Sequence, residues 1–167
     1  MFRKMRRFKQ LLPQEAAMEI LNRNTSGTLA LLGDDDYPYA VPISYVFSDG
    51  KLYFHSATTG HKVDAIRQCE KASFCVIDQD QVVPEKYTTY FRSVIAFGKV
   101  KIIENAEEIR RVATILAMKY SPGFEDGISK EINSSINRMA IIEMTIEHMT
   151  AKEAIELIKK RGSIGTK

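Results

Sequence analysis

Apolar and polar positions change period several times along the chain, and each change predicts an element. After Pro13, the run QEAAMEILNR sets Ala16, Ile20 and Leu21 on one helical face, with proline tolerated at the opening and acids behind it. Asn24 to Gly27 ends that helix. The runs TLALLG, YAVPISYVF and KLYFHS then read as three strands, separated by the DDDY turn and by Ser48-Asp49-Gly50. Loops this short favour antiparallel neighbours, so the three strands form a meander.

Val63 and Ile66 fit a short helix that closes near Gln68 to Lys71. ASFCVID follows as a strand, and a polar loop carrying Pro84 leads into YTTYFRSVIAFGKVKII, long and rich in aromatic and β-branched residues. From Asn105 to Tyr120 the spacing of Ile109, Val112, Ile115 and Leu116 is helical. Glu107 and Glu108 in the first turn and Lys119 near the end match the helix dipole. Ser121-Pro122-Gly123 breaks this helix, and a short one is expected around Ile128 to Ser134. RMAIIEMTIEHM predicts a last strand, and Thr150 to Lys160 a terminal helix ahead of a short tail.

The resulting order is mainly antiparallel β with attached helices, and it lacks the regular strand-helix alternation of a doubly wound fold. Six strands of this length are expected to curl into a barrel. With 167 residues and 44% hydrophobic composition, the chain is expected to be a single domain with a sizeable core. Its two cysteines, Cys69 and Cys75, form neither a CxxC pair nor a disulfide framework, which predicts a reducing, cytoplasmic compartment. No run approaches the ~18 apolar residues of a membrane span, so no membrane partner is expected.

The net charge is +3, but it is concentrated in a basic N-terminal segment of about 1–10 and a basic C-terminus, Lys159, Lys160, Arg161 and Lys167. Such ends can touch nucleic acid, though solvated termini explain them as well, and nucleic acid is not the expected partner. The densest chemistry lies in FHSATTGHKVDAI, from Phe54 to Ile66. Phosphate needs positive charge, hydroxyls and unpaired backbone N–H groups, and a helix start supplies the last of these. Here Thr58, Thr59 and Gly60 precede the helix, His61 and Lys62 open it, and His55 and Ser56 end the strand before it. Basic residues at a helix start are disfavoured unless an anion compensates. A plain surface turn with a threonine N-cap remains the alternative. Neither GxGxxG nor GxxxxGK[ST] is present.

PYAVPISYVFSDGKLYFHSATTGHKVDAI, followed by YFRSVIAFGKVKIIE, resembles the flavin-binding split barrel of the pyridoxamine 5′-phosphate oxidase-like superfamily. The resemblance runs from about Met5 to Lys152 and is greatest to the branch of 5-nitroimidazole resistance (Nim-type) proteins. It implies a six-stranded split β-barrel of Greek-key type, and a homodimer with two FMN molecules in clefts between the subunits. By position, Pro42, Ile43, Ser44 and Tyr45 would run along the isoalloxazine ring. His55 and Ser56 match contacts to the flavin or its phosphate tail, and His61 and Lys62 match the pair that grips the phosphate. Arg92 and Ser93 fall on the block contributed by the partner subunit. The implied activity is that of an FMN-dependent oxidoreductase acting on a small molecule, with a nitroimidazole-type compound the leading substrate, or else a flavin- or heme-binding module without turnover. His61 carries a second expectation, delivery of a proton to the substrate. The chain ends MTAKEAIELIKKRGSIGTK and has no tryptophan, a departure from the oxidase proper that argues against vitamin B6 oxidation.

Other chemistries fit less well. His55 and His61 lie six residues apart and His148 is remote, so no metal site is expected. Heme is the lesser alternative cofactor, with His148 or His61 as axial ligand. No Gly-x-Ser-x-Gly elbow exists for a hydrolase. Tyr37, Tyr39, Tyr87, Tyr90 and Phe91 can line a flat pocket or fill core and seam.

Overall fold

The computed structural model describes residues 1–164, with side chains through Lys159, so Lys160, Arg161, Lys167 and the short tail named above lie outside the described side chains. Helix α1 (Gln14–Arg23) opens on Pro13 and buries Ala17, Ile20 and Leu21. The meander follows as β1 (Ser26–Leu32), β2 (Pro38–Ser44), β3 (Val46–Ser48) and β4 (Lys51–Ala57). Helix α2 (His61–Gln68) leads to two long strands, β5 (Lys71–Val83) and β6 (Thr88–Ile103). Helices α3 (Ala106–Tyr120) and α4 (Ile128–Ser135), strand β7 (Met139–Glu153) and helix α5 (Ile155–Ile164) complete the order.

The strands form one antiparallel sheet in the order β2-β1-β5-β6-β7-β4-β3. This corrects the six-stranded expectation in two ways. YAVPISYVF is not one strand, because Tyr45 interrupts it: β2 pairs with β1, whereas β3 pairs with β4 at the opposite end of the order. Nor is the ladder closed, since among the described residues no pairing joins β2 to β3. One residue therefore links the two outermost strands, and the sheet must curl until its edges approach each other there.

Tyr45 is held from several sides. Its ring is fully buried, its hydroxyl donates to the Leu21 carbonyl at 2.8 Å, and Phe74 meets it edge-on with centroids 4.8 Å apart. Its N–H donates to the Tyr120 hydroxyl at 2.9 Å, and that hydroxyl also lies against the carbonyls of Tyr45 and Thr25. The Lys119 ammonium sits 4.5 Å from the Tyr45 ring centre and donates to the Asn24 carbonyl at 2.6 Å. The end of α3 thus bolts the junction of the two edges.

Strand alternation divides the apolar residues between two cores. Leu29, Phe54, Phe74, Val94, Ile142 and Met144 point into the curl, where α1 and α2 add Ile20, Leu21 and Ile66. Tyr53, Ile103 and Ile141 point outward beneath Val112 and Leu116 of α3. Two-sided burial explains why LYF of β4 and AIIEM of β7 lose the simple apolar-polar pattern. Helix α4 covers Ala113 with Ile128 and Ile132.

The terminal helix starts at Ile155, not Thr150. Thr150 and Lys152 continue β7, opposite Ile95 and Ser93 of β6, and the Ala151 carbonyl accepts from Leu12 N–H at 2.9 Å. Residues 79–83, expected in the loop before Pro84, likewise belong to β5, because the far half of β6 pairs with them.

Candidate functional site

Gly60, with φ at +120°, turns the chain from β4 into α2 and is the residue before the first helical turn. Only glycine adopts that backbone readily. Its carbonyl accepts from Val63 N–H at 2.8 Å and Asp64 N–H at 3.1 Å, but no side chain caps the helix. The alternative of a threonine N-cap is thereby set aside, and the first N–H groups of α2 have no intrahelical partner. Lys62 follows, partly buried, with no hydrogen bond or ion pair among the described residues. Burial lowers the pKa of its ammonium below the ordinary lysine value. A half-buried cation without a counterion, beside unpaired N–H groups, is an environment that an anion would relieve.

His61 differs from Lys62. Its ring stacks on Tyr39 with centroids 4.1 Å apart and planes 19° from parallel, and Nε2 lies 3.7 Å from Oδ2 of Asp34. The acidic turn after β1 therefore holds the imidazole against β2. Pro42, Ile43 and Ser44 lie on β2, which ends the sheet, so backbone groups on its unpaired side are left to meet a ligand edge. Tyr45 has no such freedom: its side chain belongs to the core and its N–H is taken by Tyr120.

His55 and Ser56 face opposite sides of β4. Ser56 lies on the Leu52 and Phe54 side, toward the interior. His55 opens with Ser44 into a hollow of ≈ 360 Å³ walled by Leu116, Ala117 and Tyr120 of α3, Ile132 of α4 and Met139. The cavity is mostly apolar, with the His55 imidazole, the hydroxyls of Ser44, Tyr120 and Ser135 and the Glu131 carboxylate in its lining. Its α3 and α4 walls are not signalled near FHSATTGHK, because they come from residues 113–135, far along the chain.

Arg92 is committed elsewhere. Its guanidinium donates to Glu153 Oε2 at 3.1 and 3.2 Å and to Asp78 Oδ2 at 3.2 Å, and Asp78 also receives Arg23 at 2.5 Å and Asn24 at 2.8 Å. Ser93 opens on the outer face of β6 into a separate hollow with Ile95, Phe97 and His148. His148, considered above as a heme ligand, is covered by the Phe2 ring, stacked at 4.8 Å. One chain thus unites Ser44 with His55, and Lys62 with the start of α2, but directs Ser93 away from both.

The model of the pyridoxamine 5′-phosphate oxidase family matches residues 13–153, which span every element from α1 to β7. The chain belongs to the pyridoxamine 5′-phosphate oxidase family. Solved structures agree on the fold. A conserved hypothetical protein of Mycobacterium tuberculosis superposes with TM-score 0.80 at 19% identity, covering 92% of each chain. A protein of Bacteroides thetaiotaomicron described for 5-nitroimidazole antibiotic resistance gives 0.70 at 18%, covering 86% of each. The FAD and heme binding protein of Mycobacterium smegmatis gives 0.73 at 20%, over 88% of this chain and 74% of that one. No curated protein matches the chain by sequence.

Within this pyridoxamine 5′-phosphate oxidase family member, no group of three or more His, Cys, Asp or Glu side chains is placed to hold a metal among the described residues. No described helix is long and apolar enough to cross a membrane.

Proposed function

We propose that the chain is a cytoplasmic flavoprotein of one split-barrel domain, in which β2 and β3 act as a single bent strand, and that it binds FMN in a homodimer and transfers electrons to or from a small molecule. The observation that carries this reading is the uncapped start of α2 beside the uncompensated ammonium of Lys62. A phosphate monoester satisfies both at once: it accepts from free N–H groups and neutralises the lysine.

In this assignment Lys62 and the first turn of α2 hold the phosphate, and His61, fixed by Tyr39 and Asp34, shapes its margin. The free side of β2 at Pro42 to Ser44 orients the polar edge of the ring system. A bound flavin would supply hydride chemistry at its own ring. The ≈ 360 Å³ hollow is large enough for a small planar substrate, with α3 and α4 as its walls. His61 was expected to move the proton. The geometry favours His55 instead, because its ring faces that hollow, and an imidazole can give or take a proton near neutral pH. A nitroaromatic compound, by likeness to the Bacteroides protein, is the first substrate to try.

The test is the visible spectrum of the purified protein with a fluorescence titration of FMN. Lys62→Ala is expected to weaken FMN by about 2 kcal/mol, the loss of one charge-assisted contact. A protein that stays colourless and ignores added FMN would overturn the proposal. FAD titrated in parallel distinguishes the two flavins.

A further inference from the structure

The hollow beside His55 has a balance of donors and acceptors that its apolar walls conceal. Tyr120 and Ser135 reach it with hydroxyls, but neither has a proton to give. The Tyr120 proton goes to the carbonyls of Thr25 and Tyr45, and its oxygen accepts from Tyr45 N–H at 2.9 Å. Ser135 Oγ donates to the Glu131 carbonyl at 2.9 Å, one turn earlier in α4. On the strand side, Ser44 and His55 form no side-chain hydrogen bond among the described residues, and each can donate or accept.

Charge sets one residue of the lining apart. Glu131 supplies the only carboxylate there, and no lysine or arginine joins it. Its carboxylate makes neither an ion pair nor a hydrogen bond among the described residues. The hollow therefore offers a ligand one full negative charge on the α4 side, with carbon from Leu116, Ile132 and Met139 around it. An anion finds no cation here and meets like charge. A nitro group can accept from Ser44 and His55, but it leaves Glu131 unanswered.

We propose that this hollow selects a small organic cation, with an apolar, flat body against Leu116, Ile132 and Met139 and an ammonium or amidinium group on the Glu131 carboxylate. A charge-assisted N–H···O bond is roughly twice as strong as a neutral one, so Glu131 separates cationic from neutral ligands of the same shape. Phosphorylated and carboxylated compounds are rejected on the same ground. The inference deepens the reading above by naming the substrate class of the same hollow, and it rests on that reading for electron transfer but not for binding.

Isothermal titration of the full chain near neutral pH with para-nitrobenzylamine, para-nitrobenzyl alcohol and para-nitrobenzoate tests it, because the three share a ring and a nitro group and differ in charge. The amine is expected to bind about 10-fold more tightly than the alcohol, and the benzoate more weakly than either. Glu131→Gln should abolish the advantage of the amine and leave the alcohol unchanged. Glu131→Lys should turn the order round in favour of the benzoate. Ala117→Leu narrows the hollow without touching its charge, and should weaken amine and alcohol together about 10-fold. Equal affinities for amine and alcohol, an amine advantage that survives Glu131→Gln, or indifference of both ligands to Ala117→Leu overturns the proposal. The FMN titration is a separate readout. A chain that ignores FMN yet prefers the amine through Glu131 sinks the flavin reading alone, and a chain that binds FMN without that preference sinks this inference alone.

Discussion

Arg92 and Asp78 show what a residue-level pattern carries and what it hides. In the sequence, Arg92 and Ser93 stand out as the polar break in an apolar strand, and this was legible. The reason for Arg92 was not, because its carboxylate partners lie 14 and 61 residues away and meet it only when β5, β6 and β7 align. Asp78 is the acceptor that draws Arg23, Asn24 and Arg92 together, with a side chain 6% exposed. Burial alone would raise its pKa, but the hydrogen bonds from these three residues outweigh it and hold the carboxyl below the ordinary aspartate value. A depressed folded pKa stabilises the fold above the unfolded pKa of about 3.9, and that contribution is lost as pH falls through the folded value. Urea unfolding followed from neutral pH to about 3 should therefore show a steeper acid loss for wild type than for Asp78→Asn. Parallel pH slopes for the two proteins would show that the carboxylate is not held low.

At the scale of elements, most strands and helices were legible because period-2 and period-3.6 patterns report burial on one face. The misreadings fall where that report is ambiguous. Residues 150–153 alternate half-buried and buried, yet AKE also suits a helix, and only pairing with β6 decides for strand. Tyr45 looked like any strand aromatic, and its role as the break between β2 and β3 depends on Tyr120 at the far end of α3. Gly98, inside β6 as expected, sets a register that no pattern of apolar positions reports. It lies at the register shift between β6 and β7, where a Cβ would overlap the Thr145 carbonyl. The backbone of β7 cannot yield there without losing ladder bonds on both sides, since β4 pairs with its other edge. Gly98→Ala is expected to destabilise the fold by about 2 kcal/mol or more, as overpacking against backbone does. The denaturant midpoint measures it, and a midpoint equal to wild type would mean that the two strands can separate locally at no cost.

At the scale of the whole molecule, the parts expected at one flavin are dispersed in a single chain. Lys62 and β2 lie near one edge of the sheet, whereas Ser93 opens from the outer face of its middle. The N-terminal segment lies over part of that outer face, at Ser93, Ile95 and Phe97, and an apolar side chain beside it is left exposed. Ile77 stands across the ladder from Ser93 and is 65% exposed, and Cys75 with Ile95 form the adjacent pair. In the homodimer we propose, a second copy seated on this face would cover Ile77 and place Ser93 at the seam. Burying Ile77 in such a seam contributes about 1.5–3 kcal/mol per copy, so Ile77→Asp is expected to shift the protein to monomer. If the flavin bridges the seam, occupancy and dimerisation are linked by mass action, and FMN affinity measured per chain must rise with protein concentration. Light scattering after size exclusion, with FMN fluorescence read on the same fractions, separates the possibilities. Coupled loss of dimer and flavin in Ile77→Asp supports the shared site. A monomeric variant that retains full FMN affinity confines the cofactor to one chain, and Ser93 then has no part in holding it.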